Sequence, residues 1–264
     1  MGKRTSISWA HHTFSPWWGC LEVSPACTFC YARTFAKRVG HAVWGKNAPR
    51  RFFGEKHWQE PLRWDRAAAA VGERRRVFCA SMCDIGEVRH DDVGAAMDLA
   101  RTRLWETIRA TPHLDWMLLT KRPALYGHAV RRRVPDDIRA MPSVWPGVTV
   151  EGPAQEWRAS ELSLIDCAGP RWISHEPALG RLDLDGLFAG AWLAMLIIGG
   201  ESSHGFRQMD IEAARATIRD CRRLGVACWV KQDSSLRPGT RGRFTEAEFA
   251  TRQLPRYLTT EVTR

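Results

Sequence analysis

Short apolar runs rich in β-branched residues recur along this chain, and stretches of helical periodicity lie between them. This alternation constrains the fold more than any other feature. The runs are Ile7–Ala10, Val77–Ser81, Trp116–Thr120, Val144–Val150, Arg171–Ser174, Trp192–Ile198 and Ala227–Lys231. Between the second and third, Val93, Met97, Ala100, Leu104 and Ile108 recur at helical spacing over Asp91–Thr111, with Asp91 or Asp92 as a cap and Pro112 as a stop. Ile211–Leu224 reads the same way, capped by Asp210 and ended by Gly225. Pro123–Arg133 and Pro153–Ile165 are also expected to be helical. Strands alternating with helices build a parallel sheet from right-handed βαβ units. The expected fold is therefore α/β, a partial or complete (β/α) barrel of six to eight parallel strands. No Gly-rich turn follows the first run, which disfavours an open dinucleotide-binding sheet. Residues 1–232 are expected to hold the barrel, with a cluster loop at 14–32, and residues 233–264 a C-terminal extension packing on it.

A chain of 264 residues that is 44% hydrophobic, with 13 Trp, can bury a full core without disulfides and is not a disordered composition. The longest apolar run, Ala189–Ile198, is half of the ~20 residues a membrane helix needs, so no membrane span is expected. The polar run Ser8–Thr13 replaces the apolar segment of a secretory signal, so the expected setting is the cytoplasm. There, cysteines mean metal or reactivity more often than disulfides. The net charge of +10 permits a polyanionic partner. Arginines cluster at Arg50-Arg51, Arg74–Arg76, Arg131–Arg133, Arg222-Arg223 and Arg237–Arg243, and Trp44, Trp58 and Trp64 are interleaved near the cysteines. A nucleic-acid surface is one reading of that pattern, and solvated helix faces are the other.

In a barrel the active site forms at the carboxyl ends of the strands. Here those ends carry Ser81, Cys83 and Asp84, then Lys121 and Arg122, then Glu151, then His175 and Glu176, then Gly199, Gly200 and Glu201, and last Lys231. Charges gathered at one mouth are costly unless they pair with each other or with a ligand. A mixed-charge mouth suits a zwitterionic ligand. Glu151, Glu176 and Lys231 are the candidates on the substrate side.

Cys20, Cys27 and Cys30 form a C-x6-C-x2-C loop. Three thiolates on one loop can hold three irons of a [4Fe–4S] cluster and leave the fourth open. The same three, joined by His11, His12 or Cys83, would instead make a zinc site. On spacing the two readings are equal. Cys79, Cys167, Cys221 and Cys228 read as core thiols, and Cys83 is left open between core, zinc partner and redox partner.

Taken in order, the motifs resemble a phage-associated radical S-adenosylmethionine (SAM)-like family of largely unassigned function. The landmarks are Phe14-Ser-Pro16-Trp-Trp-Gly19-Cys20, Cys27-Thr-Phe-Cys30-Tyr-Ala32, Pro61-Leu-Arg63-Trp64, Ser81-Met-Cys-Asp84, Leu119-Thr-Lys121-Arg-Pro123, His175-Glu-Pro177, Ile198-Gly-Gly-Glu201-Ser202 and Lys231-Gln232. His175 stands where the family usually has Cys, and Cys83 where it usually has Ser. The resemblance implies a [4Fe–4S] cluster on the three cysteines, SAM chelated at the open iron and cleaved to a 5′-deoxyadenosyl radical, and an electron donor such as flavodoxin. It implies Phe29 and Tyr31 beside cluster and adenine, Ser81 and Asp84 at the SAM amino group or ribose, Lys121 or Arg122 at its carboxylate, and Gly199, Gly200 and Glu201 against the ligand. The substrate class it points to is a nucleobase or nucleotide, free or in DNA, as in DNA base hypermodification. The alternative is a zinc-binding nucleic-acid-binding or nuclease module without SAM chemistry.

Overall fold

A computed structural model describes residues 5, 7–127, 133–187 and 190–255. The strands are β1 (His12–Phe14), β2 (Trp17–Trp18), β3 (Arg51–Phe52), β4 (Arg75–Cys79), β5 (Leu114–Thr120), β6 (Val144–Thr149), β7 (Arg171–His175), β8 (Leu193–Gly199) and β9 (Ala227–Gln232). The helices are α1 (Tyr31–Arg38), α2 (Glu55–Ala69), α3 (Asp92–Arg109), α4 (Asp136–Arg139), α5 (Trp157–Ser163), α6 (Leu184–Leu187), α7 (Ile211–Leu224) and α8 (Glu246–Phe249). Seven strands follow the order β1-β4-β5-β6-β7-β8-β9, and β2 pairs with β3 in a small antiparallel ribbon. The β1·β4, β4·β5, β6·β7, β7·β8 and β8·β9 ladders are parallel. The α/β class and the run of parallel strands are as expected, and the open order is that of the partial alternative.

The chain divides into two compact units, residues 1–146 with 166–169 and residues 147–165 with 170–264, the division falling within β6. In the first unit, Phe14 of β1 is fully buried and meets the rings of Trp58 and Trp116 edge-on at 5.2 and 5.8 Å. Asp91 caps α3 by accepting from the Gly94 N–H, as expected of a residue before the first helical turn. The first strand lies at His12–Phe14 rather than at Ile7–Ala10, because its ladder with β4 aligns His12 with Val77 and Phe14 with Cys79. The connection from β1 to β4 holds α1 and α2, which periodicity had not marked. α2 runs through Pro61, which sits buried within the helix. Of the helix expected over Pro123–Arg133, only the 3-10 turn Pro123–Leu125 forms among the described residues, and Arg131 and Arg132 lie outside them.

In the second unit β8 is buried along nearly its whole length, the apolar pattern of an interior parallel strand. Gly147 of β6 is required by packing, since a Cβ there would lie 2.3 Å from the Trp172 ring. α7 starts on Asp210, whose carboxylate accepts from the Glu212 and Ala213 N–H groups, and ends on Gly225 at φ +73°. The expected helix Pro153–Ile165 is a 3-10 turn followed by α5. Past β9, the Val230 N–H donates to Thr251 and the Gln253 N–H to Cys228, so the chain returns to cover the β9 edge. No described helix is long and apolar enough to cross a membrane.

Candidate functional site

The cysteine loop leaves β1 and is fastened to the segment that follows β4. Ser15 Oγ accepts from the Met82 N–H, and the Gly19 N–H donates to the Met82 carbonyl at 3.0 Å. Gly19 forms a parallel bridge with Cys83. It sits at φ +114°, and a Cβ there would lie 2.2 Å from the Val43 carbonyl oxygen, so only glycine fits. Pro25 opens a 3-10 turn through Cys27, the Cys30 N–H donates to the Cys27 carbonyl, and α1 begins at Tyr31. The Tyr31 hydroxyl donates to the Ser81 carbonyl at 2.9 Å. Ala32 and Ala36 pack with Trp18, Val43 and Met82 beneath the helix.

Asp84 and Arg122 complete the clamp. The Asp84 carboxylate accepts from Arg122 at 2.6 Å, from the Gly86 and Lys121 N–H groups, and from the Thr120 hydroxyl. Burial alone would raise this carboxyl, but Arg122 and the other donors outweigh it and hold it below the usual carboxylate range. Arg122 also donates to the Leu21 carbonyl at 2.7 Å and lies 3.9 Å from Cys20 Sγ. The guanidinium expected at a SAM carboxylate therefore holds the cysteine loop onto the ends of β4 and β5. β4 ends at Cys79, and Cys83 lies beyond it, at the isolated bridge to Gly19.

All eight cysteines are free. Burial, aided by the Asp84 charge, pushes Cys20 up to about 12, and burial raises Cys30 and Cys83 as well. Such thiols lose their protons to a metal rather than to solvent. Arg122 beside Cys20 and the Lys121 charge acting on Cys30 counter the thiolates a cluster requires. Three thiols on one loop are donors of the type an iron–sulfur cluster takes, although burial disfavours their thiolate forms. Among the described residues, no three His, Cys, Asp or Glu side chains are gathered as a bound metal ion would hold them. His11 Nδ1 accepts from the Arg76 N–H and His12 stacks on Trp64 at 4.3 Å, so both histidines are built into the β1 region.

The second unit has its own set of strand-end charges. Glu151 is buried and bound to Arg158 at 2.7 Å. Glu201 is paired with Arg207, and Asp233 with Arg243. His175 is buried, its Nδ1–H donating to the Val150 carbonyl, and burial lowers its basicity. Gly200 lets the chain approach Ser234, since a Cβ there would lie 2.4 Å from the Ser234 nitrogen. Glu176 and Lys231 form the remaining pair, Nζ to Oε1 at 2.7 Å, and both keep some exposure. The β8·β9 register slips so that Ile198 faces Val230 and Gly199 faces Gln232, which makes Lys231 the extra residue of a bulge. A Cβ on Gly199 would lie 3.2 Å from Glu176 Oε1, so the glycine leaves room for the pair.

The arginine clusters are neutralised in part. Arg50 is buried against Glu87, Arg74 pairs with Asp115, Arg75 with Glu73 and Arg223 with Asp185. Trp58 is core, and Trp64 is engaged by His12. Sequence reasoning missed the role of Arg50, which also donates to the carbonyls of Val43, Gly45, Ala48 and Pro49 and so organises the loop under Gly19. The signal available was Arg50 standing between Pro49 and Arg51 in an otherwise loop-like stretch, and it does not distinguish a buried arginine from an exposed one. The family model described as "Protein of unknown function (DUF5131)" matches residues 4–254. No curated protein matches the chain.

Proposed function

The chain belongs to the DUF5131 family, and we propose, from its cysteine loop, that it is a radical SAM enzyme whose [4Fe–4S] cluster is held by Cys20, Cys27 and Cys30. One observation carries this reading. The three thiols sit on a single loop that Gly19, Tyr31 and Arg122 fasten to the segments following β4 and β5, the ends at which α/β enzymes bind their ligands. Bound there, the cluster and SAM supply a carbon-centred radical able to take hydrogen from an unactivated carbon. Arg122 and Lys121 offset the thiolate charge, and Asp84 positions Arg122. Phe29 and Tyr31 flank the loop cysteines. Within the second unit, Glu176 and Lys231 are a partly exposed pair able to hold or move a proton, whereas Glu151 is committed to Arg158. The proposed substrate class is a nucleobase or nucleotide, supported by the net charge of +10, and the proposed reductant is a flavodoxin-type donor.

A second reading has a specific observation in its favour. Cys83 is bridged to Gly19, next to Cys20, and the two thiols feel each other electrostatically. With Cys27 and Cys30 they would make a four-thiolate zinc site. Anaerobic reconstitution separates the two. The cluster reading expects about four irons and four sulfides per chain, a visible charge-transfer band lost in Cys27→Ala, and 5′-deoxyadenosine formed from SAM with dithionite. One zinc per chain, released in Cys83→Ser, with no SAM cleavage, overturns it in favour of zinc.

A further inference from the structure

Residues 23–54 contain no aspartate or glutamate, although the chain has 29 of them. The interval carries Arg33, Lys37, Arg38, Lys46, Arg50 and Arg51. Two of these are spent locally: Arg33 binds Glu22 and the Thr28 carbonyl, and Arg50 is buried on Glu87. Lys37, Arg38, Lys46 and Arg51 have no carboxylate partner among the described residues.

The same interval exposes aromatic rings. Tyr31 is 48% exposed, Phe35 37% and Phe52 38%. α1 buries Ala32 and Ala36 and leaves Tyr31 and Phe35, one turn apart, facing outward. Guanidinium groups lie close to the rings of this region. Arg38 is 5.3 Å from the Phe35 centroid, and Arg51 is 4.7 Å from Trp18 and 5.1 Å from Phe53. Exposed rings interleaved with cations, in an interval that itself carries no acid, are the composition of a surface that stacks bases and neutralises phosphates.

We propose that α1 and the face of β3 that carries Arg51 form a binding surface for a single-stranded polynucleotide, with bases stacked on Tyr31 and Phe35 and phosphates met by Lys37, Arg38, Lys46 and Arg51. A single strand is the occupant because side chains that present ring faces need unstacked bases, which a duplex withholds. An acidic protein would answer the cations but not the exposed rings of Tyr31 and Phe35. The surface does not depend on the cluster chemistry, so either assignment can fail while the other stands.

The test is fluorescence anisotropy on the full chain with labelled oligo(dT), oligo(U) and a duplex, at about 50 and about 200 mM salt. Binding of either single strand, stronger than duplex and weakened by salt, is expected, and the two homopolymers tell DNA from RNA. Phe35→Ala should weaken binding by about fivefold or more. Arg38→Gln with Arg51→Gln should reduce the log–log salt slope by about one to two. Arg223→Gln, on α7, should change neither. If the alanine variant unfolds, Phe35→Leu retains apolar bulk without the ring face and should show the same loss. No binding at the lower salt, equal binding of duplex, unchanged binding in the ring variants, or equally potent competition by polyglutamate each overturns the proposal.

Discussion

The carboxyl ends of β4 and β5 and those of β7, β8 and β9 carry the same kinds of residue, but the two regions use them differently. After β4 and β5, Asp84 and Arg122 are spent on holding a loop, and that loop brings three thiols. After β7 to β9, and next to β6, the charges close on themselves as Glu151 with Arg158, Glu201 with Arg207 and Asp233 with Arg243. In the pair of Glu176 and Lys231 both partners stay partly open, on a bulge and beside a glycine that leaves them space. A charged residue at a strand end is thus a poor guide to function until its partner is known. The informative groups are those whose partner is itself part of the chemistry or is left accessible.

That contrast can be broken by experiment. The largest effect belongs to Arg50→Ala, which strands the buried Glu87 carboxylate and removes the donors that organise residues 43–50. It should cost about 3–5 kcal/mol in urea denaturation. A loss under about 1 kcal/mol would mean that the cysteine loop is not clamped in the way its hydrogen bonds indicate.

An intermediate effect is expected from Asp233→Asn in the second unit. Burial would raise the Asp233 carboxyl, but Arg243 holds it below the usual range. A depressed folded value stabilises the protein above the unfolded carboxylate value of about 3.9 and loses that stabilisation as pH falls through the folded value. Asp233→Asn should therefore lower stability at neutral pH by about 1–2 kcal/mol and flatten this part of the acid-denaturation profile. A variant profile that parallels the wild type would show that the pair contributes nothing.

The smallest stability effect is expected from Lys231→Met, under about 1 kcal/mol, because the pair with Glu176 is partly solvated. The denaturation midpoint checks it. A loss as large as that of Arg50→Ala would make this pair structural and erase the difference between the two regions.

Much of the fold was legible because burial imposes periodicity. β5, β6, β7, β8 and β9 fall within two residues of the apolar runs that announced them, since strands buried in a parallel sheet must be continuously apolar. α7 is legible to the residue because Asp210 and Gly225 satisfy its ends. α1 and α2 were not, because the aromatic and basic residues of 31–69 obscure the helical period. Within the site, the three cysteines were legible from spacing, while the employment of Arg122, Glu151 and Arg50 was not.

By itself, then, the sequence determined the α/β class, most strand positions, the helices α3, α5 and α7, and the three thiols on one loop, since each is a local matter of periodicity, capping or spacing. Only the tertiary structure decided which charges are spent. It paired Arg50 with Glu87, Arg122 with Asp84 and Glu151 with Arg158, and left Glu176 and Lys231 partly open. The physical reason is that desolvating a charge is tolerable only beside a partner, and apart from Glu151 with Arg158 these partners lie tens of residues apart along the chain.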